Sequence, residues 1–188
     1  LDTSGNNNHG TAYTGQALEF DGVSDYIDIG STLEDWVEQE NKTMSVWLYN
    51  AGNTSEARVF NVGKTGTDTA FALGIDGGSL GGSMASVDNQ AFVFLRESDG
   101  TAIKLAFGDA MATSTWYHFA IVQDGSNDKA YLYMNGVLEA TIGASEDAPY
   151  NQAVGEISQS TSTTAKIGAA WYDAAQSLFN GALSNFQL

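Results

Sequence analysis

What most constrains the fold of this chain is its repeated alternation of short apolar runs with clusters of Gly, Ser, Asn and Asp. Residues 43–49 (TMSVWLY), 57–62, 70–75, 91–95, 103–107, 116–123, 129–134, 137–142, 165–168 and 182–188 each read as a strand. Successive side chains of a strand point to opposite sides, so each run offers one face to a core and the other to solvent or a neighbour. Many short strands joined by small polar turns predict an all-β fold, a two-sheet antiparallel β-sandwich of the jelly-roll type. The best helix candidate is residues 31–40 (STLEDWVEQE). Ser31 or Thr32 is suited to the N-cap, Glu34 and Asp35 fall in the first turn, and Leu33, Trp36 and Val37 have helical spacing.

Several turns are specific. Asn135-Gly136, between YLYM and VL, predicts a hairpin, because a type I′ turn requires positive φ at both central residues. Residues 124–128 (DGSND) read as a turn in preference to a metal loop, since the later Glu of an EF-hand is missing. Residues 74–82 (GIDGGSLGG) lack the basic residue and helix of a phosphate-binding loop. Residues 17–20 and 26–29 flank Asp21-Gly22-Val23-Ser24-Asp25 and read as another β-hairpin, with Asp21 and Asp25 as solvated turn formers.

With 188 residues, 43% of them hydrophobic, the chain can bury one good core, and residues 1–188 are expected to form a single domain. It contains no apolar run of about 18 residues that would insert in a membrane, and its first residues, LDT, carry neither the basic nor the apolar segment of a signal peptide. Starting without Met, it reads as a module of a larger protein. Its 23 acidic residues against 7 basic ones give a formal charge of −16, which disfavours nucleic acid and anionic lipid and favours divalent cations. The acids are scattered as on a folded protein at high ionic strength, where screening tolerates them. There is no cysteine, hence no disulfide, thiolate metal site or cysteine nucleophile.

Segments spread along nearly the whole chain resemble one family. They are residues 2–11 (DTSGNNNHGT), 17–26 (ALEFDGVSDY), 116–122 (WYHFAIV), 130–136 (AYLYMNG), 166–169 (KIGA) and 179–183 (FNGAL). In this order they are similar to bacterial laminin G-like domains of the concanavalin A-like lectin and glucanase superfamily, which have one more strand before the first segment. The resemblance implies calcium, with oxygens from Asp2, Asp21 and the Gly22 carbonyl. Ser184 stands where relatives carry an acid in the closing strand, so the site is weakened here or rebuilt with Asp25. It also implies that Trp47 and Trp116 lie in or beside the core. A place outside the bacterial cell or on its surface is expected, in an adhesin or polysaccharide-active enzyme whose other domains are neighbours.

Catalysis finds little support in the residues. Retaining glycosidases need two carboxylates about 5–5.5 Å apart, and the alternating E-x-D-x-E strand of the glucanase relatives is absent. Asp25 and Asp28, three apart, would point to opposite faces of a strand. His118 sits within an apolar run and reads as a structural imidazole, and no GxSxG elbow occurs. Recognition of a glycan or polysaccharide needs aromatic plates for the pyranose face and amides or carboxylates for its hydroxyls. Trp171, Tyr172 and Asp173 form one such group, and Tyr150 and Asn151 a second. The sequence therefore points to a non-catalytic, lectin-like module assisted by calcium. The alternatives are a structural spacer without a ligand and a hydrolase, which would need paired carboxylates in a groove.

Overall fold

The computed structural model describes residues 16–30, 33, 36, 39–53, 55–64, 69–76, 88–96, 102–143, 163–170 and 177–188. In chain order the strands are β1 (Leu18–Asp21), β2 (Ile27–Gly30), β3 (Asn41–Asn50), β4 (Ala57–Lys64), β5 (Thr69–Ile75) and β6 (Ala91–Arg96). They continue with β7 (Ala102–Phe107), β8 (Thr115–Asp124), β9 (Lys129–Met134), β10 (Val137–Gly143), β11 (Thr163–Ile167) and β12 (Asn180–Gln187). Among the described residues they form two six-stranded sheets, one ordered β1-β12-β3-β8-β9-β10 and the other β2-β11-β4-β5-β6-β7. Every pairing is antiparallel.

Alternation decides which residues meet between the sheets. On β3, Met44, Val46 and Leu48 are buried, and on β8 Phe119 and Ile121; across from them lie Phe60 and Val62 of β4 and Phe71 and Leu73 of β5. Each fully buried side chain of this size contributes about 2 kcal/mol through the area it removes from water. Aromatic edges lock the layer. Phe107 meets Phe119 at 5.9 Å and 89°, and Phe60 meets Phe186 at 5.1 Å. Trp36 is in a helical turn and wedges against Phe60 and Phe71 with ring centroids 5.9 and 5.2 Å away. The remainder of the 31–40 helix expectation lies largely outside the described residues.

The turns behave as their chemistry requires. Asn135 (φ 53°) and Gly136 (φ 80°) both take the left-handed conformation of a type I′ turn between β9 and β10. Residues 125–127 form a single 3-10 turn between β8 and β9, with Asn127 Nδ2 donating to Asp124 Oδ2 at 2.8 Å.

The expected hairpin over residues 17–29 is not formed. β1 pairs with β12, placing Leu18 opposite Leu183 and Asp21 opposite Asn180, whereas β2 joins the other sheet beside β11, with Ile27 opposite Ile167. The intervening residues are a corner that carries the chain from one sheet to the other. Its backbone N–H groups are satisfied by the Asp21 side chain, so no ladder between β1 and β2 is needed to pair them.

Candidate functional site

The outer face of the first sheet carries the described aromatic surface. In register, Trp47 of β3 lies opposite His118 of β8, and Tyr49 lies opposite Trp116. Their ring centroids are 5.2 and 5.5 Å apart. Met44, Val46 and Leu48 take the core side of β3, and Phe119 and Ile121 that of β8, so strand alternation forces these four rings outward. Trp47 and Trp116 remain 43% and 41% exposed. This corrects the expectation that both tryptophans lie in or beside the core. His118 likewise belongs to the outer face, its ring tilted 50° to that of Trp47.

Small side chains make room beside the rings. Ser184 lies opposite Trp47 and Ala182 opposite Tyr49. Gln16, Ala17, Trp47, Trp116 and Ser184 line an open cleft of about 520 Å³. Ser184 Oγ donates to the Gln16 carbonyl at 3.1 Å, tying β12 to the residues entering β1. Asn135 steadies the other side, because its Oδ1 accepts the His118 N–H at 2.9 Å and its own N–H donates to the His118 carbonyl at 2.7 Å. Further along the face Tyr131 and Tyr133 of β9 lie opposite Val122 and Ala120. The cleft lining contains amide, hydroxyl and aromatic groups but no carboxylate. It can stack on and hydrogen-bond a polyhydroxylated ring, and among the described residues its lining brings no pair of carboxylates together.

The second sheet differs. All seven residues of β5 are buried, on both of its faces, so that sheet offers no comparable open surface there.

The corner after β1 is built around one carboxylate. Asp21 Oδ1 accepts the N–H groups of Val23, Ser24 and Asp25 at 2.8, 2.7 and 3.0 Å, and Oδ2 accepts the Ser24 hydroxyl at 3.0 Å. Asp25 Oδ2 in turn accepts the Asp21 N–H at 3.2 Å. Hydrogen bonds from the backbone of Ser24, then Val23 and Asp25, hold the Asp21 carboxyl far below the usual carboxylate range. Among the described residues no group of three or more His, Asp or Glu is placed to hold a metal ion. Calcium takes six to eight oxygens. Asp21, Gly22 and Asp25 are brought together here and match it in kind, but they fall short in number. Asp2, the remaining expected ligand, lies outside the described residues, as do Trp171, Tyr172, Asp173, Tyr150 and Asn151.

Two packed antiparallel sheets of this kind define a jelly-roll β-sandwich. The chain belongs to the laminin G-like branch of the concanavalin A-like lectin/glucanases superfamily, whose family description matches residues 21–188. No curated protein matches it by sequence. Among solved structures it is similar to the CBM40 of Ruminococcus gnavus IT-sialidase bound to α2,3 sialyllactose, with a TM-score of 0.67 at 18% identity over 92% of this chain and 89% of that one. It is also similar to a K499G mutant of the NanB sialidase of Streptococcus pneumoniae (TM-score 0.64, 15% identity, 92% of this chain, 25% of that one). A SAP-like pentraxin from Limulus polyphemus follows at TM-score 0.53 and 16% identity, over 95% of this chain and 71% of that one.

Proposed function

We propose that this domain is a non-catalytic carbohydrate-binding module that holds a glycan on the outer face of its first sheet. The observation carrying this reading is the exposed pair Trp47 and Trp116, diagonal neighbours on adjacent strands beside the cleft floored by Ser184 and Ala17. Diagonal positions on neighbouring strands are about 7–8 Å apart. That spacing suits an indole under a pyranose ring, with Gln16, Ser184 and His118 available to its hydroxyls. The sialyllactose-bound CBM40 of the same fold supports a glycan as ligand. The acidic, cysteine-free composition suits an extracellular domain at a bacterial surface, in an adhesin or a polysaccharide-active enzyme.

Calcium, on this reading, belongs to the scaffold. Asp21, Gly22 and Asp25 would offer it oxygens at the corner, Asp2 being the further ligand that the family resemblance implies, whereas the described cleft lining offers none from a carboxylate. The test is a glycan array probed with the wild-type domain and with a Trp47→Ala/Trp116→Ala double variant, with and without EDTA. Glycan binding by the wild type, lost in the double variant and insensitive to EDTA, is expected. Equal binding by both proteins, or none by either, overturns the reading.

A further inference from the structure

We infer that the ligand of the Trp47–Trp116 face is an uncharged glycan, and that sialylated and uronate-bearing chains are rejected. This rests on the carbohydrate-binding reading above and comes from the distribution of positive charge.

Every Lys and Arg of the chain lies on a described strand, so all seven can be assigned to a sheet. Five belong to the second sheet: Arg58 and Lys64 on β4, Arg96 on β6, Lys104 on β7 and Lys166 on β11. Their strands lie across the core from the aromatic face, and Arg58 and Lys166 are engaged where they stand. Arg58 is ion-paired with Glu56 and lies over the Phe92 ring, while Lys166 reaches Asp28 at 3.0 Å. Of the two lysines on the first sheet, Lys42 points inward, donates to the Gln39 carbonyl at 2.7 Å and is 7% exposed. Lys129 is in register with Asp124, six positions along β8 from His118, roughly 20 Å at the rise of a strand.

Among the described side chains no guanidinium or ammonium is therefore placed to meet an anionic sugar at the cleft. A carboxylate on the ligand would lose its hydration without gaining the charge-assisted hydrogen bonds that repay it. The nearest ionisable side chain on β1 makes matters worse. Glu19 lies opposite Ala182 and lines, with Tyr49, a second small cleft of about 200 Å³ on the same face. The surrounding charge of −16 repels an anion further at low ionic strength. A neutral pyranose needs none of these missing groups. Stacking on indole and hydrogen bonds to hydroxyls, amide and the Glu19 carboxylate are what this face supplies.

The experiment uses matched ligands that differ only in charge: lactose against 3′-sialyllactose, xylo-oligosaccharides with and without 4-O-methylglucuronate, and galactan against polygalacturonate fragments. Binding is measured at pH 8 in 20 and 300 mM NaCl. At least one neutral member binds about tenfold or more tightly than its acidic partner, and the gap narrows at the higher salt. Ser184→Lys, which adds a cation at the cleft, shrinks the same gap while leaving thermal unfolding within a few degrees. Equal or preferential binding of the acidic members overturns the charge rule and leaves the carbohydrate-binding reading standing. Failure of every glycan to bind overturns both.

Discussion

Trp47 stands directly across the β3–β8 ladder from His118, ring centroids 5.2 Å apart, and two residues along the same face Tyr49 meets Trp116 at 5.5 Å. The four rings support one another, so the two indoles are held in place before any ligand arrives. Trp47→Ala and Trp116→Ala are each expected to weaken glycan binding about tenfold, or about 1.4 kcal/mol. Both side chains are also more than half buried against their neighbours, so each variant unfolds a few degrees lower while remaining folded at the temperature of the binding measurement. Isothermal titration with the best array ligand, beside differential scanning calorimetry, checks both halves of this expectation.

The Asp21 corner gives an acid-dependent stability. Its carboxyl is held far below the ordinary value by the N–H groups of Ser24, Val23 and Asp25. A group depressed in the folded state contributes fully above its unfolded value, near 3.9, and loses that contribution as the pH falls toward its folded value. Asp21→Asn is therefore less stable than the wild type at pH 7, and the difference between them shrinks steadily from pH 5 to pH 2. Urea unfolding across that range measures it; a difference that does not vary with pH would show that the charge plays no part.

Lys42 works in the opposite direction, at alkaline pH. Burial brings its ammonium down to about 8 from the usual 10.5. Between those values the unfolded chain binds the proton that the folded one has released, so stability rises with pH across this window. Relative to Lys42→Met, the wild type gains on the order of 2–3 kcal/mol from pH 8 to pH 10.5. Tyrosine ionisation is common to both proteins and cancels. Parallel stability curves for the two would contradict the burial argument.

Asn53 ties the loop after β3 to the first residue of β12. Its Nδ2 donates to Asn50 Oδ1 and to the Asn180 carbonyl, each at 3.2 Å, and its Oδ1 accepts the Asn180 N–H at 2.9 Å. Asn53→Ala takes the acceptor from the Asn180 N–H, while Asn50 Oδ1 keeps the Gly52 N–H and the Asn180 carbonyl keeps the Ala51 N–H, and is expected to cost about 1–3 kcal/mol. Asn53→Asp keeps the acceptor for Asn180 but loses both donated bonds, so it falls between the two in denaturant titration.

The strands and tight turns were legible in the sequence because they rest on local rules. Asn135-Gly136 permits one kind of turn, and Met44, Val46 and Leu48 mark one side of β3 as core. The same alternation already placed Trp47 on the other side of β3 and Trp116 with His118 on the other side of β8. Placing both tryptophans by the family resemblance hid that signal; reading each ring against its aliphatic neighbours would have found it. The corner at residues 21–25 was not legible in the same way. Asp-Gly fits a hairpin and a side-chain-capped corner equally well, and the partners that separate them, β12 for β1 and β11 for β2, lie more than a hundred residues away.

The pairing of β1 with β12 has a mechanical consequence. Because the two run antiparallel, with Leu18 beside Leu183, the chain enters β1 and leaves β12 at the same end of the sandwich. Tension transmitted through the flanking chain would load the rungs of that ladder one after another, starting at Leu18, instead of shearing them together. Ladder bonds perpendicular to the strands lie along such a pull and yield singly. Pulled apart at these two strand ends, β1 peels from β12 rung by rung, a geometry that yields at low force.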